Sequence, residues 1–189
     1  MDKKKYVSRG GLKLEHALKE FGVDVTGLTV LDVGSSTGGF VDCLLQHGAA
    51  KVYSVDTAYG ELAWKLRNDS RVVVMERENI LFLEDLPEKL DLITVDVSFT
   101  SLTKILPVVK NFLKPDGKIV ALIKPQYEDQ KLALKHHGVI PEAFHPQILD
   151  RIKEGAKEAG YKYKNLIPSP ILGGEGNKEY FLLLEVNHE

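Results

Sequence analysis

The 189-residue chain has one cysteine and one tryptophan, and no apolar run approaches the ~18 residues that a membrane-spanning helix needs. A single cysteine, Cys43, excludes a disulfide framework and a thiolate metal site; it falls in an apolar run and is expected in the core. No basic-then-apolar leader opens the sequence, so a soluble, cytoplasmic protein with no membrane partner is expected. Excess charge of one sign is also missing. With 25 Lys and Arg against 27 Asp and Glu, the net charge of −2 gives no bulk attraction to nucleic acid. The six histidines include His136, His137 and His145, but no i, i+4 pair brackets an acid, so they are assigned to an exposed loop and no metal is expected.

What is present is a globular composition, 43% hydrophobic, on a length suited to one α/β domain. Charge is uneven: Lys3, Lys4, Lys5, Arg9 and Lys13 face only Asp2 in the first thirteen residues, a basic edge suited to phosphates. Leu12, Leu14, Ala17, Leu18 and Phe21 recur at helical spacing, and Gly22 stops that helix. Strand patterns follow at 28–33, 51–55, 71–75, 91–95, 118–123, 161–167 and 179–186. Helical patterns lie at 38–47, near 60–67, at 101–113 and at 141–159. Lys114–Gly117 reads as a turn, and 126–140 as a polar loop able to cover a site. Strands alternating with helices predict a doubly wound, mostly parallel seven-stranded sheet, with the last two strands as an antiparallel pair at an edge.

Residues 30–40, Val-Leu-Asp-Val-Gly-Ser-Ser-Thr-Gly-Gly-Phe, form a strand, a glycine turn and a helix start. Gly34 allows a tight turn, and Gly38 and Gly39 allow the backbone to approach a ligand closely. The next strand ends on Asp56, a carboxylate placed to accept hydrogen bonds from two ribose hydroxyls. Together with Asp32 this predicts a nucleotide-like cofactor site. The glycine spacing departs from both the dinucleotide fingerprint and the P-loop. Two further strands end on chemistry-bearing residues, Asp96 and Lys124, and strand ends are where open α/β sheets bind ligands.

Five stretches in order, Ser8–Leu14, Leu31–Phe40, Val95–Phe99, Ile123–Glu128 and Gly176–Phe181, resemble the TlyA, or haemolysin-A, family, relatives of FtsJ-type ribose 2′-O-methyltransferases. The resemblance spans nearly the whole chain. It implies a Rossmann-like class I fold, S-adenosyl-L-methionine as cofactor, ribosomal RNA or ribosomal subunits as partner, and methyl transfer to a ribose 2′-hydroxyl. Carried over by motif, the catalytic set is Lys13, Asp96, Lys124 and Glu179. Lys124 is assigned as the base, Asp96 as its orienting partner, and Lys13 with Glu179 as positioners of the hydroxyl. The cofactor set is Asp32, Gly34, Ser36, Thr37, Gly38 and Phe40 for the methionine portion, Asp56 for the ribose, and Asn79, Ile80 or neighbouring Glu78 for the adenine.

The resemblance further divides the chain into a basic segment and helix at 1–27 and a methyltransferase domain at 28–189. Family members usually begin with an S4-type RNA-binding domain, and this sequence starts near the point where that module would end. The name haemolysin implies membrane damage, yet no segment has a spanning or strongly amphipathic pattern. Two other functions fit the same strand-turn-helix. The altered glycine spacing and the absence of a convincing Tyr-x-x-x-Lys site weigh against a nicotinamide-dependent oxidoreductase, and a non-catalytic ribosome-binding module would not need all four polar residues.

Overall fold

The computed structural model describes residues 4–187, so Asp2 and Lys3 of the basic terminal run lie outside the described residues. Runs rich in Val, Ile and Leu form seven strands: β1 (Thr29–Val33), β2 (Lys51–Asp56), β3 (Val72–Glu76), β4 (Leu90–Val95), β5 (Leu113–Ile123), β6 (Tyr161–Pro168) and β7 (Tyr180–Val186). They build one sheet in the order β3-β2-β1-β4-β5-β7-β6. β1 to β5 pair in parallel, and β7 runs antiparallel to both β5 and β6. The antiparallel strand thus sits one place in from the β6 edge.

Among the described residues seven α-helices flank the sheet: α1 (Gly10–Phe21), α2 (Gly39–Gln46), α3 (Trp64–Arg67), α4 (Leu102–Val109), α5 (Pro125–Glu128), α6 (Gln130–Lys135) and α7 (His145–Glu158). Strand residues alternate between two apolar layers, as the two-residue period of a strand requires. Leu31, Val33, Ile93 and Val95 face α4 and α7 through Ile105, Leu106, Ile148 and Ile152. Val30, Val52, Leu92 and Phe181 face α1 and α2 through Leu14, Leu18, Phe40 and Leu44. Burial of Leu14 and Leu18 holds α1 on the sheet, at roughly 1.5–3 kcal/mol for each side chain. Cys43 is fully buried in the same layer.

Several expected boundaries shift for identifiable reasons. Pro107 stands inside α4, which ends at Val109 and passes into a 3-10 turn at Lys110–Phe112. The expected turn at 114–117 is absorbed into β5: Leu90 pairs with Leu113 and Leu92 with Lys118, leaving Asp91 opposite the four-residue bulge, where it binds Lys114 Nζ at 2.6 Å. The expected loop at 126–140 instead carries α5 and α6. Pro125 starts α5, the Asp129 side chain caps α6 by accepting from Leu132 N–H, and buried Ala133 anchors it. The long helix expected from 141 is a 3-10 turn at Glu142–Phe144 followed by α7.

His145 corrects the exposed-loop assignment outright. It is buried at the start of α7; Nε2 donates to Ile140 O at 2.9 Å, which leaves Nδ1 to pair with Tyr180 Oη at 2.8 Å. Among the described residues no helix is long and apolar enough to cross a membrane.

Candidate active site

The parallel strands β2, β1, β4 and β5 bring four C-terminal ends into a row: Asp56, the turn at Gly34, Asp96 and Lys124. The turn is built around protein packing more than ligand approach. Gly34 has φ +83°, and a Cβ there would stand 2.2 Å from the carbonyl oxygen of Asp96, so this glycine lets the ends of β1 and β4 close together. A Cβ on Gly38 would strike Leu66 Cδ1 at 2.3 Å, and one on Gly39 would lie 2.2 Å from Ser8 Oγ and 2.9 Å from Gly11 N. The glycine pair therefore seats the start of α2 against α3 and α1.

Asp56 is held from both sides: Ser36 N–H donates to Oδ2 at 2.7 Å, and Ala58 N–H to Oδ1 at 2.8 Å. Each oxygen keeps a further lone pair for a hydroxyl donor. Asp56 lines a cavity of about 490 Å³ that also takes in Gly34, Ser36, Asn79, Ile80 and Asp96. Asn79 Oδ1 accepts from Leu81 N–H at 3.0 Å and shapes the 3-10 turn that buries Ile80. Val97 and Ile105 add apolar wall.

A second cavity, of about 230 Å³, adjoins the first and shares Gly34, Ser36 and Asp96 with it. Its remaining lining comes from Ser35, Thr37, Gly39 and Phe40 on one side and Ser8, Arg9, Gly10 and Lys13 of the α1 region on the other. Two lysine–carboxylate pairs meet here. Lys13 Nζ donates to Glu179 Oε2 at 2.7 Å, with side-chain exposures of only 11% and 2%. Lys124 Nζ lies 2.6 Å from Asp96 Oδ1, an ion pair without hydrogen-bond alignment. Lys124 is extended just before Pro125, as the residue preceding proline tends to be. Glu128, one turn further on, accepts from Leu102 N–H at 2.9 Å and from Ser101 Oγ, locking α5 to α4. Burial raises the Glu128 carboxyl above its ordinary range, and these hydrogen bonds oppose the rise.

Two of the expected cofactor residues touch neither cavity. Asp32 is completely buried behind the turn, and Gly38 packs on Leu66. Asp32 Oδ1 accepts from Thr94 Oγ1 at 2.6 Å, while Oδ2 has no partner among the described residues. Burial pushes the Asp32 carboxyl up to about 7, and the nearby Asp96 and Asp56 charges add to the rise. Its position supports the strand ends from within. Residues missed by sequence reasoning include Glu61, whose Oε2 accepts from Ser36 Oγ at 3.3 Å, and Phe99, a cavity-wall residue with φ +63°. Phe99 was visible only as part of the Val95–Phe99 stretch, because its left-handed backbone has no signature in residue type. Among the described residues no three His, Cys, Asp or Glu side chains cluster to hold a metal.

Comparison with known proteins places the chain in a family. A sequence model of the FtsJ-like methyltransferases matches residues 6–186. The YqxC protein of Bacillus subtilis is 48% identical over 95% of this chain and 66% of its own length. A Mycobacterium tuberculosis relative, 16S/23S rRNA (cytidine-2′-O)-methyltransferase TlyA, is 43% identical over 95% of this chain and 68% of its own. The chain thus spans about two thirds of the length of these relatives. A solved structure from Lactococcus lactis superposes with a TM-score of 0.92 at 44% identity, covering 97% of this chain and 89% of that one. More distant S-adenosylmethionine-dependent methyltransferase structures, such as one from Listeria monocytogenes at 16% identity and a TM-score of 0.72, share the fold. The chain belongs to the FtsJ-like methyltransferase family.

Proposed function

We propose that this protein transfers a methyl group from S-adenosyl-L-methionine to a ribose 2′-hydroxyl of ribosomal RNA. The observation that carries the reading is the Lys124–Asp96 pair, because Asp96 lines both cavities at the point where they join. The larger cavity fits an adenosine: Asp56 offers two acceptor oxygens for ribose hydroxyls, and Ile80, Val97 and Ile105 give an apolar wall for the base. Among the described residues the Asn79 side-chain amide nitrogen has no hydrogen-bond partner, which leaves a donor at that end. Gly34, Ser36, Thr37 and Phe40 would border the methionine portion in the smaller cavity. In this reading residues 28–189 hold most of the cofactor, and the 1–27 segment supplies one wall of its site.

When bound, the cofactor supplies a sulfonium-activated methyl group. A ribose hydroxyl is a weak nucleophile and must lose its proton as it reacts. Lys124 Nζ, when neutral, accepts that proton, and Asp96 fixes where the amine sits. Glu179 holds Lys13 at the rim of the same space, where the ammonium stabilises negative charge developing on the hydroxyl oxygen. The name of the M. tuberculosis relative makes a cytidine the first candidate.

The test is incubation with ribosomal subunits lacking 2′-O-methylcytidine and methyl-labelled cofactor, followed by digestion to nucleosides. Label in 2′-O-methylcytidine is expected. Label on a base, or none with either subunit, would overturn the proposal.

A further inference from the structure

The basic terminal run reads as an edge for RNA phosphates, yet its Arg9 lines the smaller cavity. Three charged side chains border that space: Arg9, Lys13 and Asp96. Lys13 is matched by Glu179, and Asp96 by Lys124. Arg9 is exposed at the rim, and its guanidinium has no carboxylate or hydrogen-bond acceptor among the described residues, so it is the one of the three without a counter-ion. Nearby backbone donors on the α1 side are already engaged: Gly10 N–H meets Ser8 Oγ at 3.3 Å, Gly11 N–H meets Ser8 O at 3.2 Å, and Leu12 N–H meets Arg9 O at 3.1 Å. Across the cavity, Gly39 and Phe40 open α2, and first-turn amides have no acceptor within their own helix.

From this arrangement we infer that Arg9 binds the α-carboxylate of the methyl donor's amino-acid portion. The inference rests on the proposed cofactor. A planar guanidinium matches a carboxylate with two parallel N–H donors, a geometry that lysine cannot reproduce. The connection between the cavities supports a cofactor carboxylate over an RNA phosphate: a ligand seated on Asp56 continues past Gly34 and Ser36 into the space that Arg9 borders. The larger cavity, lined by Asp56, Glu61 and Glu78 besides the paired Asp96, has the opposite sign and suits the cationic centre. The two cavities thus match a ligand with a cationic centre and, at its zwitterionic amino-acid end, a carboxylate that the Arg9 guanidinium can meet.

Calorimetric titration of wild type, Arg9→Ala and Arg9→Lys with two probes tests the assignment. S-adenosylhomocysteine keeps the carboxylate, and S-adenosyl-3-thiopropylamine lacks only that group. Arg9→Ala is expected to weaken S-adenosylhomocysteine about tenfold, the loss of one solvent-accessible charge-assisted contact, and to leave the thiopropylamine within about twofold. Arg9→Lys should recover only part of the loss. Equal weakening of both probes, or no weakening of S-adenosylhomocysteine, overturns the assignment; if affinity for ribosomal RNA falls instead, Arg9 serves phosphate. If wild type binds neither probe, the cofactor reading itself fails, whatever Arg9 does.

Discussion

Consider Lys13→Met, which removes one half of the most deeply buried ion pair in the site. At 2.7 Å and an effective dielectric near 20, the two charges attract by about 6 kcal/mol, most of which offsets the desolvation of both groups. Losing one partner therefore costs more than the pair is worth: Glu179, with a side chain 2% exposed, stays buried without its cation. Breaking such a pair costs roughly 3–5 kcal/mol, and the water-accessible cavity beside Lys13 favours the lower end. For a chain of this size, about 3 kcal/mol corresponds to a fall in Tm of roughly 6–12 °C. Glu179→Gln should cost less, about 2 kcal/mol, because the lysine amine can turn toward that water. The double variant should lose only about 2 kcal/mol relative to wild type, a coupling of roughly 3 kcal/mol, while methyl transfer stays impaired in all three. Urea unfolding at pH 7 measures the cycle. A double variant whose loss equals the sum of the single losses would refute the reasoning.

Two further outcomes follow from the strand ends. Burial holds the Asp32 carboxyl at about 7, above its unfolded value near 3.9, so the folded protein binds this proton more tightly than the unfolded chain. Its contribution is fully present below about pH 4, falls as pH rises to about 7 and is flat above; Asp32→Asn should therefore gain a few kcal/mol relative to wild type between pH 5 and pH 8 by urea unfolding, and a constant difference across that range would contradict the account. Gly34→Ala would set a Cβ 2.2 Å from a backbone oxygen at a left-handed φ, so a loss of about 3 kcal/mol is expected, and an unchanged unfolding midpoint would show that β1 and β4 do not approach this closely.

The sheet was legible because its strands are short apolar runs whose alternation with helices leaves few topologies. Features set by distant partners were not. His145 is buried through Ile140 and Tyr180, the latter 35 residues away, and residue type alone says nothing of that. α5 spans only four residues, and α6 six with most of them exposed, so periodicity had little to act on. The bulge at 114–117 looks locally like a turn and becomes part of a strand because Leu113 pairs with Leu90 before it and Lys118 with Leu92 after it, with Asp91 binding Lys114 across the gap. Gly34, Gly38 and Gly39 were identifiable as needed glycines, but the atoms that need them absent of a Cβ belong to Asp96, Leu66 and Ser8. Lys13 and Glu179, 166 residues apart, could be associated only through their motifs.

The Lys124–Asp96 pair at the junction of the cavities is the centre of the account, and Lys124→Met tests it most directly. Single-turnover methyl transfer to ribosomal RNA should fall by roughly 10²- to 10⁴-fold, the range for loss of a general base, while calorimetric affinity for S-adenosylhomocysteine stays within about twofold of wild type. Transfer within tenfold of wild type, with binding intact, would contradict it.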